Sequence, residues 1–462
     1  MTRGATSNTQ TSSRAWRRRW QSLRGATACV VLFTWALGCR KREAEPLPDG
    51  GSGSVFLLLA SRAPNEPLAR PAAAPLIVDP IPPHTAPPLT ARERVGRSIF
   101  LDTSMSNPPG TSCASCHDLE RAFSGNNGSI TGVARGSRPK HFSRRNTPSV
   151  MYVKYVPPFH FALEDDDDLA DSAFGGLSWS GRADTVADFA RLPLFDVDEM
   201  NNKSEAEIAA KLRTAPYATD LTREFPGALE SSASAMKALG EALQAFLTSE
   251  TMSPFTSKFD DFVRGKVQLS PLETRGMKAF EDRQRGACNH CHLMYEHASR
   301  PDASLFTTYA YEAVGAPRNS AIAANADPKR YDLGLCERTQ KTVRSSDAKW
   351  CGSFRIPSLR NVAIRERFMH NGVFSKLRDV VAFYATRTTN PDRWYPHGAT
   401  FDDLPDRYRG NVNTSSLPYN RHEGATPAMD DADIDAIVAF LQTLTDEPYR
   451  SDPRFAEALG EK

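Results

Sequence analysis

The stretch RGACNHCHLM, residues 285–294, sets two cysteines and two histidines close together, from Cys288 to His292. Three chemistries use such a cluster: half of a zinc site, a redox-active thiol pair, or the covalent anchor of a haem. The spacing C-x-x-C-H favours the third. Two thiols about one helical turn apart can each bond a haem vinyl group, and the following histidine then sits beneath the iron as its axial ligand. A second copy, CASCH at Cys113, Cys116 and His117, supports this reading. A zinc site built from both cysteine pairs would bridge about 175 positions and leave each trailing histidine idle. A thiol–disulfide pair has no use for that histidine. The chain is therefore expected to carry two covalently bound haem c groups, on Cys113 and Cys116 with His117, and on Cys288 and Cys291 with His292. His290 is then an internal spacer, expected to be exposed.

The compartment follows from the opening residues. Arg14, Arg17, Arg18, Arg19 and Arg24 precede the apolar run ATACVVLFTWALG, which stops at Cys39. About 13 apolar positions behind a basic region read as an export signal, since a bilayer span needs ~20. The ALGC ending resembles a bacterial lipoprotein signal with Cys39 as the lipid-bearing residue. Ala36 stands where such a box favours leucine, so plain cleavage is the alternative. Residues 1–39 are thus read as a signal peptide of lipoprotein type, and 40–88, rich in proline, as a tether unable to bury a core. The expected location is periplasmic, with the membrane met only through the lipid. Net charge is +2 over 462 residues, which gives no reason to propose nucleic acid as a partner. In that oxidising compartment Cys336 and Cys351 are expected to form a disulfide, contributing about 3 kcal/mol by closing a loop of roughly 15 residues.

Each haem motif has a similar setting. TARERVGRSIFLD (90–102) precedes the first and SPLETRGMKAFED (270–282) the second, each with a Ser/Thr cap and an internal glycine. A later helix closes each half. SAMKALGEALQAFL places Met236, Leu239, Leu243 and Phe246 on one side; DIDAIVAFLQTL does so with Ile434, Ile437, Val438, Leu441 and Leu444. The spacing predicts a mostly α protein made of two tandem cytochrome c-like haem domains, at 89–262 and 263–450, followed by a tail at 451–462.

Several further stretches carry a resemblance: CASCHDLERAFS, RRNTPSVMYV, SWSGRAD, PLFDVDEM and FRIPSLRNVAIRERFMHNGVFSKLRDVVAFY. With the second haem motif and the closing helix, residues 90–447 resemble the bacterial di-haem cytochrome c peroxidase family, including its MauG branch. The resemblance implies hydrogen peroxide as oxidant, and a small cytochrome c or cupredoxin as electron donor. It also implies one peroxide-reactive haem in the first domain and one electron-transfer haem in the second. Glu199 matches the family's catalytic glutamate. Splitting an O–O bond needs a group that moves a proton between the two oxygens, and a carboxyl with a raised pKa suits that task. Pro193 falls on the proline beside this haem, and Trp179 on a tryptophan between the two haems. Phe189 departs from the family, standing ten residues before Glu199 where a glutamine is usual. It implies a drier pocket.

On the far side of the second haem the resemblance places Tyr384, as in the MauG branch, with Met369 as the competing ligand. A phenol oxygen favours the higher oxidation states of iron more than a thioether does. Relatives hold a calcium ion between the domains, which Asn146 and the carbonyls of Arg365 and Arg367 would ligate here. His141, near a haem-blocking histidine of some relatives, is read as an ordinary loop residue, and the acidic run at 164–168 as a solvated loop. Three functions follow. The leading one is a peroxidase reducing hydrogen peroxide with electrons from the small redox protein. The second is a MauG-like enzyme oxidising side chains of a partner protein, and the third a non-catalytic electron-transfer cytochrome.

Overall fold

Both helix starts form as capping boxes. Thr90 N donates to Glu93 Oε2 at 2.7 Å while Glu93 N donates to Thr90 Oγ1; Ser270 N donates to Glu273 Oε2 at 2.6 Å with the same return bond. The computed structural model describes residues 87–162, 172–295, 304–338, 347–395 and 398–460. The leader, the tether up to residue 86, the acidic run 164–168, His297 and His397 lie outside the described residues. The helices that frame the two motifs are α1 (Ala91–Leu101), α2 (Val186–Phe195), α3 (Ser232–Leu247), α4 (Pro271–Glu281), α5 (Leu377–Thr386) and α6 (Asp431–Gln442). Helix dominates the regular structure. The described strands are two-residue ladders, pairing His160 with Phe174 and Tyr311 with Arg355 in antiparallel register.

The glycine inside each leading helix has a steric reason. α1 crosses α3 so closely that a Cβ on Gly96 would lie 1.9 Å from the carbonyl oxygen of Ala242. α4 crosses α6 the same way, with a Cβ on Gly276 falling 1.8 Å from the carbonyl oxygen of Ala436. Phe246 and Phe440 flank the two crossings, at 2.9 Å from the same hypothetical atoms. The apolar stripes face inward as their spacing predicts: Met236, Leu239, Leu243 and Phe246 are buried, as are Ile434, Ile437, Leu441 and Leu444, while Val438 is half-buried.

Two hydrophobic clusters result. The first runs mainly from Val95 to Phe255 and also recruits Ile364, Tyr449 and Phe455; the second runs from Phe259 to Leu444. A buried polar knot stands where they meet. Arg360 and Asp260, both fully buried, pair at 2.9 and 3.0 Å. The guanidinium lies 4.9 Å from the Tyr152 ring centre and 4.5 Å from that of Phe255. Tyr152 donates to Asp446 Oδ2 at 2.7 Å, and Asn361 Nδ2 donates to the same oxygen at 2.9 Å. Residues of both clusters are thus held by charge-assisted hydrogen bonds in a dry setting, where such bonds are strong. Cys336 and Cys351 form the expected disulfide.

Candidate active site

The two C-x-x-C-H motifs adopt the same local design. Cys113–Cys116 is one helical turn, after which His117 N donates to Cys113 O at 2.9 Å; Cys288–His290 is a tight turn, after which His292 N donates to Cys288 O at 2.8 Å. Each imidazole is then fixed by a backbone carbonyl: His117 Nδ1 meets Phe123 O at 3.1 Å, and His292 Nδ1 meets Phe306 O at 2.9 Å. Burial pushes both pKa values down to about 4, so both rings are neutral at pH 7. A neutral ring that donates from Nδ1 keeps its lone pair on Nε2, the form a metal-ligating histidine needs. The four thiols are unbridged, and burial pushes each up to about 12. His290 is exposed, as its place between the cysteines predicts.

Beside the second motif lies a cavity lined by Cys288, Cys291 and His292 together with apolar side chains such as Phe280, Ile356, Val381 and Leu441. Trp179, Met369, Tyr384 and Tyr419 line it too. A flat apolar group bearing thioether links and one axial nitrogen fits this donor set, so the residues present fit a haem. The Tyr384 hydroxyl lies within electrostatic reach of both Cys291 and Cys288, and burial, then those thiols, raise its pKa. Its ring centre is 5.8 Å from that of Tyr419, whose other face carries the Arg387 guanidinium at 3.8 Å. Tyr419 was not singled out from sequence; its loop holds no motif, and only the fold brings it to Tyr384.

Glu199 belongs to the first motif. It is close enough to raise the Cys116 thiol electrostatically, and its own pKa is pushed up to about 7. Burial is the main cause, followed by the negative charge of Asp196; the Arg182 guanidinium and a Ser143 hydrogen bond oppose it. Both forms of the carboxyl are therefore populated near neutrality. Pro193 lies within α2, and its carbonyl accepts from Met200 N at 3.1 Å, joining the helix to the turn that carries Glu199. Phe189, also on α2, is half-buried, with Arg182 6.0 Å from its ring centre. His141 meets Asp198 Oδ1 at 2.7 Å and Arg138 at 3.1 Å.

Trp179 lines the second cavity and is tied to a loop that reaches the first motif. Its indole Nε1 donates to Asn146 O at 2.7 Å, on the loop whose Pro148 carbonyl approaches His117, and it lines the second cavity. The side chain of Asn146 reaches two carbonyls, Arg367 O at 3.0 Å and Met369 O at 3.1 Å. The Arg365 carbonyl is not among the partners of the Asn146 side chain.

A family model described as di-haem cytochrome c peroxidase matches residues 90–268. The methylamine utilization protein MauG of Paracoccus denitrificans (strain Pd 1222) is 33% identical over 368 residues, covering 77% of this chain and 88% of that one. The cytochrome-c peroxidase IdrP2 of Pseudomonas sp. (strain SCT) is 24% identical over 309 residues, 63% of this chain and 72% of its own. The crystal structure of the diheme peroxidase BthA from Burkholderia thailandensis E264 superposes with a TM-score of 0.75 at 47% identity, covering 79% of this chain and 88% of that one. A third of the positions shared with a MauG protein over most of both chains, and a family model matching the first half, place the chain in the di-haem cytochrome c peroxidase family of haem oxidoreductases.

Proposed function

We propose that this protein reduces hydrogen peroxide to water with electrons from a small cytochrome c or cupredoxin. One haem would be held by Cys113, Cys116 and His117, the other by Cys288, Cys291, His292 and the oxygen of Tyr384, in domains spanning 89–262 and 263–450. The carrying observation is Glu199, half-titrated at about pH 7 beside the first motif. When bound, the haem iron supplies an open position for peroxide and the means to exchange electrons. Reduction of one peroxide to two waters takes two electrons and two protons. Glu199 accepts the proton of the oxygen that binds and returns it to the oxygen that leaves. Phe189 keeps water away from the carboxyl, and Trp179 spans the distance between the motifs. In steady state, the full chain should consume peroxide while oxidising reduced cytochrome c two to one. Mass spectrometry of the mature chain should show two added haems. Fewer than two, or an inert loaded protein, overturns the reading.

A second function has its own support. Tyr384 and Tyr419 line the second cavity with Trp179, an oxygen-donor and aromatic setting suited to storing oxidising equivalents rather than passing them on at once. A MauG-like oxidation of side chains on a partner protein would follow, and would be recognised by an oxidised protein that outlives the peroxide. For location, we infer export to the periplasm and lipidation at Cys39; among the described residues no helix is long and apolar enough to cross a membrane.

We also infer that calcium binds between Asn146 and the carbonyls of Arg365 and Arg367. The two ends of an amide have the same outline, and rotation by half a turn would point Oδ1 at the ion. Waters would complete the six to eight oxygens that calcium takes. Dialysis against a calcium-selective chelator should then lower the melting temperature, with recovery on adding calcium but not magnesium. An unchanged melting curve would remove calcium from the site.

A further inference from the structure

The cavity beside Cys288 and His292 also contains two positive charges that the reaction above does not use. Arg355 and Arg365 both line it. Arg355 Nε donates to Ser178 O at 3.1 Å, and its guanidinium lies 5.7 Å from the Tyr309 ring centre. Arg365 Nη2 donates to Thr147 O at 3.2 Å, while its Nε is buried without an acceptor. Three other largely buried arginines have carboxylates, Arg360 with Asp260, Arg145 with Asp332 and Arg318 with Asp403, while the fully buried Arg387 is held by the carbonyls of Val314 and Asn413 and by the Tyr419 ring. Among the described residues, Arg355 and Arg365 form no ion pair. Burial pushes the pKa of Arg365 down to about 10 and lowers that of Arg355. Two half-buried charges without carboxylates, lining an apolar cavity, call for anionic partners, the more so once a bound group closes that cavity to water.

A ligand with two carboxylates would satisfy both. We propose that Arg355 and Arg365 form a carboxylate-binding pair that takes the two propionates of a haem attached at Cys288 and Cys291. The inference rests on the haem-binding reading above and adds the residues that orient the group within its cavity. Guanidinium suits the task, since its planar donors match a carboxylate edge and its charge is retained on burial. Arg365 also bears on the first site, because its charge is felt at His117. It is therefore a fixed cation lying between the two motifs. A positive charge there opposes removal of an electron from either iron, and so raises the reduction potential. Arg355 and Arg365 are positioning residues in this account; neither touches peroxide.

The test is a spectroelectrochemical titration of the full mature chain alongside Arg365→Gln and Arg365→Lys, with haem content measured by mass. Arg365→Gln should shift the ferric–ferrous equilibrium of at least one haem tenfold or more toward ferric, which is 59 mV for one electron. Arg365→Lys, which keeps the charge, should lie closer to the unsubstituted protein. Potentials unmoved in a glutamine variant with both haems attached would overturn the inference and leave the peroxidase reading standing. Absence of haem from Cys288 and Cys291 in the unsubstituted protein would overturn both. Should the variants fail to fold, a crystal structure of the loaded native protein decides. A propionate in hydrogen-bond contact with Arg365 supports the pair; propionates turned away from both arginines refute it.

Discussion

Replacing Glu199 with glutamine should slow peroxide reduction at pH 7 by roughly 10²–10⁴-fold, the usual contribution of a positioned acid–base group. Two haems should remain attached. Glutamine keeps the shape of the side chain and removes its ability to exchange a proton, so the loss would report the proton transfer alone. The pH profile gives a second readout. In the native protein the carboxylate that accepts the first proton becomes populated as pH rises through about 7, and the rate of reaction with peroxide should rise with it. The glutamine variant should be flat across this range. Stability should move oppositely. The folded pKa of Glu199 is raised above its unfolded value, so native stability is greatest below the unfolded pKa and declines as pH rises from there through about 7. The variant escapes that decline and should melt higher than the native protein at pH 8, with no such gain near pH 4. A glutamine variant as fast as the native protein would move proton transfer elsewhere.

The largest loss of stability is expected from Arg360→Met, at about 3–5 kcal/mol. The substitution leaves Asp260 fully buried with no cation beside it, and it strips the Tyr152 and Phe255 rings of the guanidinium between them. Burial by itself would raise the pKa of Asp260, but the attraction and hydrogen bonds of Arg360 more than offset this and hold it below the ordinary aspartate value. Stability from that depression is present above the unfolded pKa and lost as pH falls through the folded one, so the native pair should hold from neutrality down into mild acid. Chemical denaturation of the single variants and of Arg360→Met/Asp260→Leu would measure the pair. The double variant should recover part of the loss, because the charge of Asp260 goes with that of Arg360, while Asp446 keeps its hydrogen bonds from Tyr152 and Asn361 but loses the cation nearby. Equal stability of Arg360→Met and the native protein would show the pair to be inert.

How far the sequence disclosed this site depended on distance along the chain. The haem motifs, the capped helices and the stripes of α3 and α6 are local patterns, and each was readable because its partners lie within one or two turns. Glu199 was readable through resemblance, and its raised pKa through the general cost of burying a carboxylate. The interruption at Gly96 and Gly276 was visible, but its cause was not, since the carbonyls of Ala242 and Ala436 come from distant helices. Tyr419, the knot around Arg360 and the unpaired Arg355 and Arg365 were illegible for the same reason. Each gains its meaning from a neighbour far away in sequence.

The matching anchorage of His117 and His292 has a consequence for how the two halves came to differ. His117 and His292 each present a neutral imidazole tied through Nδ1 to a backbone carbonyl, and of the two it is His117 that also feels the Arg365 charge. The sharper difference lies in what surrounds each motif: a carboxyl half-titrated near neutrality beside Cys116, and two phenols lining the cavity beside Cys288 and His292.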